Sequence, residues 1–323
     1  MGAYRSTNKV EINFLKFLHP SYHAHVVSIE PKVIAATQRK SSFYRPELDL
    51  IRFIAFLSVF LYHLSFMRRN RGPLYLSVAY SGAFGMCLFF VLSSYLITKL
   101  LVKEWDATGS IKVSAFYARR VLRIWPLYFF MIGVIWLIGH FYQPWHVNKG
   151  VAITFSFLAG NWYLMRHYLY VPGPIFPLWS ISVEEQFYLV WPSLFRCLSR
   201  RTFQYVAIAV ILLSWIAIFT LRQGFGQNFA FIWWNTLAQI QFFGIGALLA
   251  LFDDRLATAL SSKSRQLLAA GAIVAWVLGG FCNQASLSHV QPGVFLVISY
   301  IFAALGCLLY FKPYTNGKVF RNG

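Results

Sequence analysis

The stretch LDLIRFIAFLSVFLYHLSFM, residues 48–67, decides the fold because it is apolar apart from Asp49, Arg52, His63 and two serines. A helix needs about 20 mostly apolar residues to cross the hydrocarbon core of a membrane. Similar runs recur along the chain, so the sequence predicts an all-α protein, a polytopic bundle of transmembrane helices. We predict eight strong spans, at Leu48–Met67, Ala79–Val102, Ile124–Tyr142, Trp179–Leu198, Phe203–Leu221, Ala230–Phe252, Leu267–Cys282 and Pro292–Phe311, and one short candidate span, Val151–Met165.

The composition of the 323 residues agrees with this class. Hydrophobic residues make up 58% of the chain and charged residues only 12%, whereas soluble domains carry about 25% charged residues. A soluble enzyme, a disordered chain and a coiled coil are therefore excluded. The long unbroken apolar runs also exclude an outer-membrane barrel, which needs short alternating segments. Four widely spaced cysteines form no metal or CxxC pattern, and we expect them to be small core residues.

The net charge of +19 comes from cations that lie mainly between the apolar runs. This distribution indicates membrane topology and contacts with lipid head groups rather than nucleic acid. Residues 1–45 carry seven Lys or Arg, residues 99–123 carry six and the loop at 68–71 carries three. We therefore expect a cytoplasmic N-terminus, with residues 1–44 as a basic extension of a transmembrane domain at 45–323.

The topology of the second half depends on Val151–Met165. If this segment spans the membrane, nine helices are present and the basic loops at 196–201 and 255–265 face outward. If it does not span, both loops face the cytoplasm. Charge counting slightly favours the second arrangement.

Arg52 and His63 are the ionisable residues that stand out in the first span. They are eleven residues apart, which places them within about 20° of the same helix face and about 16 Å apart along the axis. Ionisable groups inside a span are expensive to bury, so they are functional candidates. The alternative is an arginine that reaches the interface and a histidine bonded to a backbone carbonyl.

Glu184 and Glu185 lie near the start of another span, in PLWSISVEEQFY, residues 177–188. Adjacent helical residues point about 100° apart, so we expect these carboxylates to have different partners. An acid here can pair with Arg52 or orient His63. The alternative is favourable placement of acids beside the positive end of a helix dipole.

A third element is FYARRVLRIWP, residues 116–126, which alternates arginines with aromatic and aliphatic residues. We predict that residues 111–125 form an amphipathic helix at the membrane surface. Its three arginines, Arg119, Arg120 and Arg123, are spaced to grip phosphates with forked hydrogen bonds. From spacing alone, a role in topology and lipid contact is the better interpretation.

Four ordered motifs together resemble the acyltransferase 3 family of integral-membrane acyltransferases, which modify cell-surface polysaccharides, peptidoglycan, lipopolysaccharide, nodulation factors or macrolides. The motifs are YRPELDLIR at 44–52 with His63 ten intervening residues after Arg52, FFVLSSYLIT at 89–98, the arginine segment ending at Pro126, and Trp179–Pro192. The family usually has glycine where Leu50 and Ser94 stand. It usually has ten helices, which favours a spanning Val151–Met165, and the chain ends at Gly323, where the tenth helix would begin. The resemblance therefore implies a member without that last helix.

The resemblance implies transfer of an acyl group, most often acetyl, from cytoplasmic acyl-CoA to a hydroxyl of a glycan or glycolipid acceptor. It implies a bacterial inner-membrane enzyme of the cell envelope that needs no metal. In that scheme His63 is the general base or a transient acyl carrier. Glu184 or Glu185 orients His63 or balances Arg52. The arginines at 119, 120 and 123 bind the CoA phosphates.

Two other functions fit some of these residues. In a secondary transporter for an anionic substrate, Arg52, His63 and the glutamates would form a translocation or proton path. Such transporters usually show inverted repeats with broken helices, and the sequence shows no internal repeat. A catalytically inactive, truncated family member is the other alternative.

Overall fold

A computed structural model describes residues 46–66, 72–167, 171, 173–225, 229–256, 261–287, 298, 300, 301 and 304. The helices lie in one compact unit, Glu47–Gly323, and the first helix begins one residue before that unit, at Pro46. Every regular element among the described residues is helical, which confirms the all-α prediction. The predicted extension at 1–44, and the predicted span at 292–311 except residues 298, 300, 301 and 304, lie outside the described residues. The α-helices are α1 Pro46–Phe66, α2 Pro73–Ser81, α3 Phe84–Thr108, α4 Val113–Phe141, α5 Lys149–Ser156, α6 Gly160–His167, α7 Trp179–Cys197, α8 Arg200–Phe225, α9 Phe229–Trp233, α10 Thr236–Leu256 and α11 Ser262–Leu287, with 3₁₀ turns at Gln143–Trp145 and Gly173–Leu178.

Three stretches of described helix are long and apolar enough to cross a membrane, namely Val78–Thr108, Val113–Phe141 and Arg200–Gly224. The apolar helices Thr236–Phe252 and Gln266–Cys282 are shorter. The membrane class is therefore supported by these helices, although the described part of the chain does not provide the eight strong spans that we predicted.

The core is built around α10, which packs along α3 on one side and α8 on another. The Phe243 ring of α10 stacks on Phe90 of α3, with 4.9 Å between centroids, and on Phe187 of α7 at 4.2 Å. Next to them, the Ser94 hydroxyl donates to the Phe243 carbonyl over 2.6 Å. The small side chain of Ser94 thus replaces the family's usual glycine while it ties the two helices together.

The arginine segment is the first part of a continuous helix that is long and apolar enough to cross a membrane, so the prediction of a separate surface helix is wrong. Helix α4 runs without interruption for 29 residues from Val113 to Phe141 and passes through Pro126. The Tyr117 hydroxyl donates to the Leu189 carbonyl over 2.6 Å, and the Trp125 indole donates to Glu185 over 3.2 Å. These contacts make α4 and α7 antiparallel. The amphipathic pattern arises because one face of this first half packs against α7.

The described residues between α4 and α7, namely 142–167, 171 and 173–178, form what we call the re-entrant hairpin. Because α4 and α7 are antiparallel, Phe141 and Trp179 lie at the same end of the bundle. The hairpin holds α5 and α6, each eight residues or about 12 Å long. They are separated by a turn at Leu158, whose φ of 56° is left-handed. The Tyr163 hydroxyl of α6 donates to the Asn148 side chain at the start of α5 over 3.4 Å, so the chain folds back on itself and Val151–Met165 does not cross the bundle.

The non-crossing hairpin decides the topology that the sequence left open. With no crossing between α4 and α7, the loop at 196–201 lies at the same end as the basic segment 99–123. The ion pair between Arg200 and Asp106, 2.6 Å long, joins these two regions directly. This agrees with the arrangement that charge counting slightly favours, in which Val151–Met165 does not span, while the side of the membrane that these loops face stays a prediction.

The predicted span Ala230–Phe252 is also interrupted. Helix α9 ends at Trp233, and α10 begins at Thr236 after a two-residue break. The Asn235 side chain accepts a hydrogen bond from the Leu237 amide over 2.9 Å. It thereby satisfies a backbone donor that the first turn of α10 leaves unpaired, as residues at helix starts commonly do.

The described cysteines only partly match the expectation of core positions. Cys87 is buried, Cys282 is half-buried and Cys197 is exposed. Cys197 differs because it is the last residue of α7, where the helix ends beside a loop. Cys307 lies outside the described residues.

The close approach of α3 and α10 provides a test of the packing. A Cβ atom added at Gly246 would collide with the Val91 carbonyl oxygen, which is backbone and cannot move aside. We expect Gly246→Ala to lower the free energy of unfolding by about 1–3 kcal/mol. The measurement is thermal unfolding of the purified protein in detergent.

The matched control is Gly133→Ala in α4, where nothing lies within 4 Å of the added atom. This change should be neutral or should stabilise the helix by up to about 1 kcal/mol, because alanine is the better helix former. Equal melting temperatures for the two variants would contradict the close α3–α10 contact.

Candidate functional site

Glu184 lies at the interface of α3 and α7, where two hydroxyl groups hold its carboxylate. The Ser93 hydroxyl of α3 donates to Oε1 over 3.0 Å. The Tyr188 hydroxyl, one turn further along α7, donates to Oε2 over 2.8 Å. Both carboxylate oxygens are therefore satisfied, which fixes the side chain between the two helices.

Glu185 points toward α4 and has different surroundings. Its Oε2 accepts a hydrogen bond from the Trp125 indole nitrogen over 3.2 Å. Its Oε1 is buried, and no donor among the described residues reaches it. The expectation that the two glutamates have different partners is confirmed. The expectation that one of them pairs with Arg52 or His63 is not met by these contacts.

Arg120 faces both glutamates from α4. Its guanidinium lies 4.8 Å from the centroid of the Tyr188 ring and 5.8 Å from that of Phe116. It attracts both carboxylates electrostatically. Within the described part of the chain, however, the contacts of the guanidinium are these ring faces and charges rather than hydrogen bonds. We call Ser93, Arg120, Trp125, Glu184, Glu185 and Tyr188 the carboxylate cluster.

The three arginines of α4 have different surroundings. Arg120 is half-buried and faces the carboxylate cluster, whereas Arg119 and Arg123 are exposed. Arg119 and Arg123 are four residues apart, so they share one outward face of the helix. The division arises because α7 covers only one side of α4.

On α1, Arg52 forms an ion pair with Asp49, its neighbour one turn earlier. The distance between guanidinium and carboxylate is 2.7 Å, and the two side chains are 40% and 46% exposed. This arginine thus has its own counter-charge and does not need Glu184 or Glu185 for one. This ion pair could have been predicted from the sequence, since Asp49 stands three residues before Arg52 and the two therefore share a helix face.

His63 is exposed near the end of α1, and its Nδ1 lies 2.8 Å from the Val59 carbonyl oxygen. A carbonyl can only accept, so Nδ1 must carry the hydrogen. In the neutral ring, the lone pair is then on Nε2, and the backbone bond fixes the orientation of the ring. The backbone-bonded histidine of the alternative interpretation is present, and it leaves Nε2 as a base.

The carboxylate cluster and His63 are far apart. Close contacts of Gly85 with Ala55 and of Gly82 with Tyr62 show that α1 and α3 are antiparallel. His63 lies eight residues from Ala55 in one direction, and Ser93 lies eight residues from Gly85 in the other, so about 24 Å separates them along the helix axes. Glu184 therefore cannot orient His63 directly.

A closed ring of hydrogen bonds, which the sequence did not predict, holds the re-entrant hairpin in place. Gln186 donates to the Leu158 carbonyl over 3.1 Å and to the Asn161 amide oxygen over 3.0 Å. Thr236 donates to Gln186 over 2.6 Å and accepts from Asn161 over 2.9 Å. The ring ties α6, α7 and the start of α10 together beside Glu185. Gln186 adjoins Glu185 in the quoted motif, but its partners come from distant segments.

Comparison with known proteins gives one family match and several relatives. Residues 45–322 match the family model described as an acyltransferase domain. The chain is 36% identical over 165 residues to peptidoglycan O-acetyltransferase OatA of Listeria monocytogenes, a match that covers 49% of this chain and 25% of that protein. It is 36% identical over 157 residues to YrhL of Bacillus subtilis, provisionally named a peptidoglycan O-acetyltransferase, with 46% and 23% covered. A provisionally named O-acetyltransferase of Staphylococcus aureus is 33% identical over 163 residues, with 48% and 25% covered.

The matched region spans about a quarter of the length of these curated relatives. No solved structure matches the chain significantly. The family model, by contrast, covers nearly the whole of the chain from the start of the first motif onward.

The carboxylate cluster predicts a difference between neighbouring arginines. Removal of the Arg120 charge leaves two carboxylates at a helix interface without their nearby cation, so Arg120→Ala should destabilise the protein. Because Arg120 is only half-buried, we expect a loss of about 1–3 kcal/mol. The measurement is thermal unfolding in detergent at neutral pH.

Arg119→Ala is the control, since the exposed neighbour should change stability by no more than about 0.5 kcal/mol. Addition of Glu184→Gln to Arg120→Ala should recover part of the loss, because it removes one of the uncompensated charges. If Arg119→Ala and Arg120→Ala have the same melting temperature, Arg120 has no structural role in the cluster.

Proposed function

Because this chain belongs to the acyltransferase 3 family, we propose that it is a membrane O-acetyltransferase that moves an acetyl group from acyl-CoA to a hydroxyl of a cell-envelope glycan. Family membership makes it an O-acyltransferase. The names of its relatives in Listeria, Bacillus and Staphylococcus support acetyl as the group and a peptidoglycan-like glycan as the acceptor. The observation that carries the chemistry is His63, whose Nδ1 is engaged by the Val59 carbonyl and whose Nε2 is left as a base.

His63 acts as the general base in this proposal. Its Nε2 takes the proton of the acceptor hydroxyl while the hydroxyl oxygen attacks the thioester carbonyl carbon. The carbon–sulfur bond then breaks, and the CoA thiolate takes the proton back from the imidazolium. The products are the acetyl ester and CoA thiol. A transient acyl group on the histidine is the other route.

The donor approaches from the end of the bundle where α3 and α7 finish. The positive-inside rule assigns this end to the cytoplasm, since it carries the basic segment 99–123 and the loop at 196–201. Arg119 and Arg123 are exposed there and are suited to the CoA phosphates. Arg52, about 16 Å from His63 along α1, lines the path of the pantetheine arm, and its charge is balanced by Asp49.

This orientation also gives the cellular setting of the proposal. The N-terminus lies in the cytoplasm of a bacterial cell, the bundle lies in the inner membrane among lipids, and His63 lies toward the outer face. The acceptor then meets His63 from outside, at the same end as the re-entrant hairpin. Acyl donor and glycan acceptor thus enter from opposite sides.

The test of the function is incubation of membranes that contain the protein with labelled acetyl-CoA and an isolated glycan acceptor. Label should appear in the glycan and should be released by mild alkali, as expected of an ester. Uptake of an anion into vesicles without any labelled ester would instead favour a transporter.

His63→Ala should lower the rate of acetyl transfer by 10²–10⁴-fold, the usual contribution of a general base. The side chain is exposed and bonds only to its own helix among the described contacts, so the melting temperature should stay within a few degrees. The rate is measured per amount of folded protein in the membrane. His140→Ala, which also replaces an exposed histidine, is the control and should keep wild-type activity. Transfer within twofold of wild type in the His63 variant would exclude His63 from the chemistry.

Simultaneous replacement of Arg119 and Arg123 by alanine should raise the apparent KM for acetyl-CoA and leave the KM for the glycan unchanged. Each lost charge-assisted hydrogen bond is worth about 1.5–3 kcal/mol, so we expect an increase of about ten-fold or more. The matched control is the double alanine variant of Arg196 and Arg201, two exposed cations at the same end. If both double variants raise the KM equally, the effect is general surface charge and not a phosphate site.

A further inference from the structure

The re-entrant hairpin carries two exposed cations, Lys149 at the start of α5 and Arg166 near the end of α6. Tyr163 joins the two helices there, because an atom added at Gly150 would lie 2.9 Å from its ring and its hydroxyl reaches Asn148. Lys149 stands between these two residues of α5. Arg166 follows Tyr163 by three residues and so shares its helix face. We call Lys149 and Arg166 the basic pair.

The basic pair lies at the end of the bundle, at the opposite end of the hairpin from its tip. A Cβ atom added at Gly139, near the end of α4, would collide with the Trp145 carbonyl, which comes just before α5. Further along the hairpin, the Phe155 carbonyl accepts a hydrogen bond from the Tyr128 hydroxyl of α4 over 2.7 Å. Gly139 and Tyr128 are eleven residues apart, so the hairpin runs inward by about 16 Å along α4. The basic pair therefore faces what approaches this end of the bundle rather than its interior.

No acidic residue accompanies the basic pair. Residues 107–183 contain no Asp or Glu, and neither do the segments 67–83 and 226–235, which also connect helices at this end. Among the described residues, neither side chain of the pair has an ion-pair or hydrogen-bond partner. At the opposite end, by contrast, Arg200 is paired with Asp106. The hairpin end thus presents positive charge without a counter-charge from its own segments.

Membrane topology does not account for this charge. The positive-inside rule retains Lys and Arg in the cytoplasm, whereas the proposed function assigns the hairpin end to the outside. The negative surface potential that attracts basic segments to lipid is likewise that of the cytoplasmic leaflet. An anionic partner that arrives from outside explains both cations. The forked guanidinium of Arg166 suits a carboxylate or a phosphate, which it can bind through two parallel hydrogen bonds.

We propose that the basic pair binds a carboxylate or phosphate group of the acceptor, so that the acceptor is an acidic glycan. The inference rests on the proposed function, since it takes a glycan that enters at this end as the acceptor. The pair attracts and orients the glycan, and it takes no part in the chemistry at His63.

His63 lies at the same end of the bundle, at a distance that a glycan chain can span. Helix α1 packs on α3, and the Phe84 ring of α3 lies 6.3 Å from the Trp233 ring of α9. From α9, the Trp234 carbonyl accepts a hydrogen bond from Asn161 of α6 over 3.1 Å. Neighbouring helices are about 8–10 Å apart, so these three steps separate α1 from α6 by at most about 30 Å. One unit of a glycan can therefore hold its acidic group at the basic pair while another unit presents its hydroxyl to His63.

The probes are two matched pairs of glycans: oligogalacturonate and its neutral methyl ester, and phosphorylated dextran and plain dextran. Their affinities for the purified full chain in nanodiscs of neutral lipid are measured by titration calorimetry. The wild type should prefer the acidic member of at least one pair, and added salt should weaken that preference. Lys149→Gln combined with Arg166→Gln should weaken binding of the acidic member by about five-fold, since two exposed ion pairs are lost. Binding of the neutral member should stay unchanged.

Two further double variants separate a site from net charge and from folding. Arg196→Gln combined with Arg201→Gln removes the same charge from the opposite end and should keep the wild-type preference. Lys149→Arg combined with Arg166→Lys retains both charges and should also keep it. Since both members of the basic pair are exposed, the melting temperatures of all variants should stay close to that of the wild type.

The proposal is overturned if the wild type prefers neither acidic glycan, or if both double glutamine variants lose the preference equally, which is an effect of net charge. Short-chain phosphatidylglycerol is titrated as a competing ligand. If the variant of the basic pair loses binding of this lipid and keeps its binding of acidic glycan, the pair holds lipid head groups and the proposal is wrong.

Acetyl transfer to both members of each glycan pair is assayed with the same preparations. Loss of the basic pair should raise the KM for the acidic glycan and leave the KM for acetyl-CoA unchanged. Transfer with an unchanged KM for the acidic glycan counts against this inference alone. Acid-selective binding that depends on the basic pair, without any transfer, counts against the proposed function alone.

Discussion

The partial burial of two adjacent carboxylates at one helix interface is the constraint on which the rest of the structure depends. A carboxylate removed from water is strongly destabilising unless hydrogen bonds and opposite charge replace its hydration. Glu184 obtains them from Ser93 and Tyr188, and Glu185 obtains one from Trp125, while Arg120 serves both. Since these partners come from α3, α4 and α7, sliding or rotation of any of the three helices would leave a carboxylate at the interface without its partners. The aromatic stack on α10 then packs against helices whose register is already fixed.

Much of this architecture is predictable from the sequence because apolar length sets where helices form. Helix α1 begins two residues before its predicted span, and α7 begins at the predicted residue. The different partners of Glu184 and Glu185 follow from their 100° separation alone. The non-crossing hairpin agrees with charge counting, which slightly favours the arrangement without a span at Val151–Met165.

The partners themselves are not predictable in this way. The sequence indicates that Glu184 needs a cation, yet nothing local distinguishes Arg52 from Arg120. Which arginine lies near Glu184 depends on which helices are neighbours, and Arg52 already forms an ion pair with Asp49. Likewise, one amphipathic pattern fits both a surface helix and the first half of α4, since a face that packs on α7 has the same periodicity as a face that lies on lipid. Gln186, Asn161 and Thr236 meet only because the hairpin folds back.

The hairpin has a consequence for how the protein can change over time. Both ends of the hairpin lie at the same end of the bundle, so the hairpin adds no crossing. Residues can be inserted or deleted between Phe141 and Trp179 without reversing the direction of α7 or of any later helix. The end of the bundle that carries the hairpin can therefore vary in length and composition while the opposite, basic end stays in place. Variation at this end of the bundle is in this way uncoupled from the direction of the later helices, provided that Gln186 keeps its hydrogen bonds to Leu158 and Asn161.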